Sequence, residues 1–174
     1  MGHRNPQGLF YDNQNDVILS TEHGPKGGDE ININTMPGGE IENYGWPISS
    51  YGEYSRFVKR DDNHPYKSHK KHGFVEPVKY FTPSIGISEI IKVNSEFLNH
   101  IQNEILVASM GQQIDEGALS IHYFAFDSDY RIKKHNILKI NDRIRDMIYV
   151  GKINKIFLFL ERSASIGVLS VDNN

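Results

Sequence analysis

Leu9-Phe10-Tyr11-Asp12-Asn13-Gln14-Asn15-Asp16-Val17-Ile18-Leu19 sets two apolar runs of strand length on either side of five polar turn formers. Asp and Asn bond their own backbone two residues on and tolerate tight turns, so this stretch reads as a β-hairpin. Working outward, short β-branched and aromatic runs recur between breakers. They are Val17–Glu22, Glu30–Asn34, Glu89–Val93, Glu104–Ser109, Leu119–Phe126, Arg131–Ile140, Asp146–Val150, Lys155–Leu160 and Gly167–Val171. Asp127-Ser128-Asp129 separates two of them as the first turn does. Leu119-Ser120-Ile121-His122-Tyr123 alternates apolar and polar, the pattern of a half-buried strand. No segment of ten residues carries a capped helical period, and Ser95–Gln102 reads as one short helical turn. The class is all-β, and hairpins at this spacing suit a sandwich, a barrel or a propeller.

The 174 residues suffice for one compact domain, taken here as residues 1–174. At four strands per blade, they hold about three propeller blades. The net charge of -3 gives no basic excess for nucleic acid. No apolar stretch approaches the roughly 18 residues of a membrane span. Cysteine is absent, which excludes disulfides, thiolate chemistry and cysteine-held metals. The run from Met1 to Gly8 has no apolar core and no small-residue cleavage site, so it is not a signal peptide. It reads as the interior of a longer protein, from a truncated reading frame or a deliberately cut polypeptide.

Five motifs carry chemistry. Gly2-His3-Arg4-Asn5-Pro6-Gln7-Gly8 is a polar turn with an arginine beside amide side chains, which as residues alone also suits a plain surface loop. Thr21-Glu22-His23-Gly24-Pro25-Lys26-Gly27-Gly28-Asp29-Glu30 leaves a strand, turns through glycines and ends on paired carboxylates. Backbone carbonyls with Asp and Glu are the hard oxygen ligands that Ca²⁺ prefers; the plainer alternative is an acidic turn. Asn43-Tyr44-Gly45-Trp46-Pro47 holds the sole tryptophan and suits an aromatic corner. Thr82-Pro83-Ser84-Ile85-Gly86-Ile87-Ser88 is the fourth. In Asp142-Arg143-Ile144-Arg145-Asp146, residues two apart on a strand share a side, so Arg143 and Arg145 form a fork for a multiply carboxylated or phosphorylated ligand. The alternative is a surface pair neutralised by Asp142 and Asp146.

The order of these motifs, GHRNPQG, EHGPKGGDE, NYGWP, TPS and RIRD, resembles the soluble PQQ-dependent (pyrroloquinoline quinone) glucose/sorbosone dehydrogenases from residue 2 to about residue 160. The resemblance implies a six-bladed β-propeller of which this chain is the C-terminal half, about three blades. It implies PQQ and Ca²⁺ as cofactors, an aldose oxidised at its C1 hydroxyl to a lactone, an external electron acceptor, and a periplasmic or secreted setting. It further implies Arg4 and Asn5 near the reactive quinone carbonyls, Ser84 against the cofactor, and Arg143 and Arg145 on its carboxylates. The carbonyls of Gly24 and Pro25 would bind the catalytic Ca²⁺. Glu30 and the carbonyl of Tyr44 would bind a further, structural one.

Two departures narrow the expectation. The family's general-base histidine, with a Gln and an Asp that contact the quinone, comes from earlier blades and has no counterpart here. The glucose dehydrogenase branch carries a lysine after Glu104–Ser109, where this chain reads Met110-Gly111-Gln112-Gln113. His23 and His3 are the local candidates for a base, each beside a motif residue. His64, His69 and His72 lie in the Lys-rich stretch Tyr51–Gly73; their spacing fits no standard zinc site, and they read as a solvated loop. The expectation is thus a sugar dehydrogenase portion inactive alone, which self-associates or joins a missing N-terminal half. The alternative is a non-catalytic propeller-type binding module.

Overall fold

The computed structural model describes residues 1–35, 39–53, 67–94, 97 and 104–171. The expected helical turn at Ser95–Gln102 lies outside the described residues except for Phe97, and so does His64. Among the described residues, eleven strands form three antiparallel sheets. The chain divides into two compact units, Met1–Ile87 and Ser88–Asn174.

The first unit is one four-stranded meander: β1 (Pro6–Asp12), β2 (Val17–Glu22), β3 (Asp29–Asn34) and β4 (Lys79–Phe81), in sheet order β1-β2-β3-β4. The opening hairpin forms as the turn chemistry requires. Asp12 accepts from the Gln14 amide at 3.1 Å, and Asp16 takes the left-handed conformation that closes the turn (φ 53). Leu19 and Ile31, on neighbouring strands, are fully buried. Each such aliphatic side chain contributes about 2 kcal/mol on burial. β4, three residues long, is too short to read from sequence. It pairs Phe81 with Asp29 and Tyr80 with Glu30.

The second unit holds two sheets. β5 (Ile87–Val93), β6 (Glu104–Ser109), β7 (Ser120–Phe126) and β8 (Ile132–Lys139) run β5-β6-β7-β8. β9 (Ile144–Val150), β10 (Lys155–Leu160) and β11 (Ser165–Ser170) form a three-stranded meander. A shared core that includes Val93, Leu106, Ile121, Ile144, Ile156 and Leu158 joins the two sheets face to face. Four-stranded meanders in sequential order are the repeating sheets of a propeller, as expected from the motifs.

β7 departs from its pattern. Ser120 and His122, expected on a wet face, are buried, because both faces of this central strand are covered. Their polar atoms are satisfied internally. The Ser120 hydroxyl donates to the Ala118 carbonyl at 2.9 Å; His122 bonds the Gly117 carbonyl at 2.7 Å and the His135 ring at 2.9 Å.

Candidate functional site

The residues of the first unit converge where β2 ends and β3 begins. His23 leaves β2 and its amide donates to the Asn5 carbonyl at 3.0 Å. Arg4 is held twice: its amide donates to Glu22 at 2.6 Å, and its guanidinium donates to the His23 carbonyl at 3.1 Å. The same guanidinium lies 5.3 Å from the Trp46 ring centre, a cation–π contact. Arg4, Asn5 and the Gly24–Pro25 turn are therefore neighbours, although 18 or more residues separate them in sequence.

Asp29 shapes that turn. Its carboxylate accepts from the Ser84 hydroxyl at 2.7 Å, the Ile87 amide at 3.1 Å and the Gly24 amide at 3.2 Å, with the His23 ring at 3.7 Å. Burial opposes its ionisation, but the bonds from His23, Ser84 and Ile87 outweigh burial and hold the carboxyl below the usual carboxylate range. Ser84, expected against the cofactor, spends its hydroxyl proton on Asp29 and braces the Thr82–Ser84 turn against the glycine loop. Gly24 is needed for close approach, since a Cβ there would sit 2.0 Å from the Gly27 carbonyl oxygen.

Asp29 and Glu30 are adjacent on one strand, so they face opposite sides of the sheet and do not serve one ion. The carboxylate that shares Glu30's face is Glu22, its register partner across β2 and β3. The Asn32 side-chain amide donates to both, to Glu22 at 2.9 Å and to Glu30 at 3.2 Å. Glu22 also bonds the His3 ring at 2.9 Å. The His69 ring stands 3.1 Å from Glu30 and 2.5 Å from the Ser49 hydroxyl. Burial, with the Glu22 charge adding to it, raises Glu30 above the usual carboxylate range despite His69 and Asn32. Glu22, Glu30, Gly24, Tyr44 and Ser49 line a cavity of about 10 Å³, room for one water-sized occupant. The Asn32 side-chain oxygen is buried beside these carboxylates with no hydrogen-bond partner. Two buried carboxylates facing one small cavity, with the backbone carbonyls of its glycine turn, are hard oxygen donors of the kind that Ca²⁺ takes. Among the described residues, no group of three or more His, Asp or Glu side chains is placed to hold a metal ion.

One histidine reading is corrected here. His69 belongs to no solvated loop: it is buried against Glu30, which lines the cavity. The sequence signal was only its β-free surroundings, which look like solvent. His3 bonds Glu22 and stacks on Tyr44 with ring centres 4.4 Å apart. His23 faces Asp29.

In the second unit, Arg143 and Arg145 project to one side at the start of β9, as their spacing predicts. Neither pairs with Asp142 or Asp146 in an ion pair; both take Glu161, which reaches Arg143 Nε at 3.2 Å and Arg145 Nε at 2.9 Å. Arg143 also donates to the Met110 carbonyl at 2.8 Å. The Arg145 guanidinium, then the Arg143 charge, hold Glu161 below the usual carboxylate range. Asp142 instead accepts the amides of Arg143, Arg162 and Ser163 and fixes the turn beneath the fork. Glu161 was missed in the sequence because it lies 16 residues beyond Arg145 and meets it only through the β9–β10 hairpin.

The chain is 31% identical over 147 residues to an aldose sugar dehydrogenase of Escherichia coli, covering 84% of this chain and 36% of that protein. It is 45% identical over 59 residues to quinoprotein glucose dehydrogenase B of Acinetobacter calcoaceticus, covering 33% of this chain and 11% of that one. The crystal structure of the soluble aldose sugar dehydrogenase from E. coli in the apo-form superposes with a TM-score of 0.75 at 22% identity, over 98% of this chain and 46% of that chain. The matched stretches cover 36% and 11% of these two relatives and 46% of the solved chain, so this chain spans less than half the length of each. The glucose/sorbosone dehydrogenase family model matches residues 1–166, and the chain belongs to that family.

Proposed function

We propose that this chain, as one partial propeller domain over residues 1–174, carries the calcium- and carboxylate-holding side of a PQQ-dependent aldose dehydrogenase. The observation that carries the reading is the Arg143–Arg145 fork, whose two guanidiniums already converge on one carboxylate, that of Glu161. A quinone with three carboxylates suits such a fork. PQQ with Ca²⁺, when bound, supplies the two-electron oxidant for the C1 hydroxyl of an aldose, which becomes a lactone, and the electrons pass on to an external acceptor. The chain's own residues then bind and orient. Arg143 and Arg145 hold carboxylates, Arg4 and Asn5 stand beside the Gly24–Pro25 turn, and Asp29 with Ser84 keeps that turn in shape. Glu22, Glu30 and the Tyr44 corner hold a structural Ca²⁺. His3 and His23 each face a carboxylate, Glu22 and Asp29, which orients an imidazole without supplying the family's general-base histidine, whose motif has no counterpart in the matched stretches. The family likeness supports a periplasmic or secreted setting.

The test is titration of PQQ with Ca²⁺, read by quenching of the single tryptophan, Trp46. Saturable binding is expected, weakened about tenfold or more by Arg143→Ala or Arg145→Ala, each of which removes a charge-assisted contact. Dye-linked sugar oxidation by the isolated chain is expected to be absent. No PQQ binding at all, with the protein folded, sinks the reading and favours a binding module that kept the fold alone.

Calcium itself gives a separate expectation. Glu30 is raised, so it favours the folded state while protonated, and that contribution is lost as pH rises above the ordinary carboxylate value of 4.5 through its folded value. A bound cation offsets this loss. At a hundred times its Kd, Ca²⁺ should stabilise the protein by about 2.7 kcal/mol at pH 7. The gain should shrink toward pH 5 and vanish in Glu30→Gln, as followed by thermal melting with Ca²⁺ or EDTA.

A further inference from the structure

The two sheets of the second unit leave a cavity of about 260 Å³ between them. Its walls are Phe97, Leu106, Ile121, Ile156 and Leu169, which belong to the shared core or pack against it. Packed interiors leave few voids larger than one water. An apolar cavity of about 150 Å³ stays dry and takes up benzene; on that scale this one holds about ten non-hydrogen atoms.

The rim of the cavity comes from β8. Lys134, Asn136 and Leu138 are two apart, so they share one side of that strand. Register sets them opposite Ala125, Tyr123 and Ile121 of β7. Four Lys and Arg residues lie on β8 or just before it, and three of them are neutralised. Arg131 pairs with Asp129 at 3.4 Å, Lys133 with Asp127 at 2.9 Å and Lys139 with Asp115 at 3.3 Å. Of the four, only Lys134 lines the cavity, and it makes no ion pair among the described residues. The acid in its register row, Glu104, stands beyond Ala125, is fully buried and accepts the Tyr123 hydroxyl at 2.8 Å. The Asn136 side-chain amide likewise has no hydrogen bond among the described residues.

Apolar walls with an uncompensated cation and an amide at the rim match the chemistry of an anionic amphiphile. We propose that this cavity binds a free medium-chain carboxylate of about ten non-hydrogen atoms. Its alkyl or aryl body lies between the sheets, and its carboxylate accepts from the Lys134 ammonium and the Asn136 amide. The site lies wholly in the second unit and needs neither PQQ nor Ca²⁺, so it stands or falls apart from the proposed function.

Sodium octanoate, of about that size, is the probe. It is titrated into the full chain without PQQ or Ca²⁺ and followed by methyl-resolved carbon–proton NMR. Saturable shifts of the Leu106, Ile121 and Leu169 methyls are expected, with a Kd on the order of 100 µM. Octanol, the same body without the charge, should bind about tenfold or more weakly. Lys134→Gln should bring octanoate down to the octanol value. Lys133→Gln, on the opposite side of the strand, should leave octanoate binding unchanged. Absence of methyl shifts at about ten times that Kd overturns the proposal. So does octanol binding as tightly as octanoate, or a Lys134→Gln variant that binds octanoate as before, either of which would leave the cavity without a headgroup site. Shifts confined to residues outside the cavity overturn it as well.

Discussion

Asp29→Ala is expected to lower the unfolding free energy by about 4 kcal/mol at pH 7, the largest loss from any single side chain of the first unit. Its carboxylate is fully buried and accepts three hydrogen bonds, from Ser84, Ile87 and Gly24. Truncation leaves those donors facing a void, and each buried donor left unmade costs about 1–3 kcal/mol, with some recovered by an entering water. Asp29→Asn should cost less, about 2 kcal/mol, since it keeps the shape but turns a donor toward donors. Urea denaturation gives the free energies. The pH dependence has a definite sign. Asp29 is depressed, so its contribution is present above its ordinary value of 3.8 and is lost as pH falls through the folded value. The gap between wild type and Asp29→Ala should therefore narrow in acid. A gap that is flat with pH, or a loss below about 1 kcal/mol, would mean that the turn is held by something else.

Gly24→Ala should cost about 3 kcal/mol and weaken the Ca²⁺ thermal gain, because Gly24 lines the same cavity as Glu30. The new methyl would lie 2.0 Å from the Gly27 oxygen and 2.4 Å from the Gly28 oxygen. Both are backbone atoms, so no side chain can swing aside. The turn must open, which breaks the Gly24–Asp29 bond and displaces the carbonyls of Gly24 and Pro25 together. Gly73→Ala is the control. Gly73 has φ 78 but open space around its Cβ position. Its replacement should cost about 1 kcal/mol from backbone strain alone and leave the Ca²⁺ response intact.

What the sequence discloses follows from how far each signal reaches. Turn chemistry at Asp12–Asp16 and the apolar runs are local, and β2, β6 and β10 fall on their expected residues. The i, i+2 rule placed Arg143 and Arg145 on one side without any tertiary knowledge. Their partner could not be found that way, because Glu161 arrives through a hairpin. The GGDE carboxylates show the same limit from the other direction. Read as a neighbouring pair, they suggested one cation site; on a strand, neighbours diverge, and the true companion of Glu30 is the register partner Glu22. His69 looked solvent-bound amid lysines, yet it is buried, since a polar segment can still send one side chain under a sheet when a carboxylate and a hydroxyl wait for it.

The pairing of Glu22 with Glu30 also constrains how this lineage can change. The turn from His23 to Gly28 sets the register of β2 against β3. Inserting or deleting one residue there would rotate Glu30, Asn32 and Asn34 to the apolar side and bring Asp29, Ile31 and Ile33 toward the cavity. Length variation in that loop is therefore quantised: relatives should differ there by two residues or by none, and a single-codon indel would be purged although it touches no ligand.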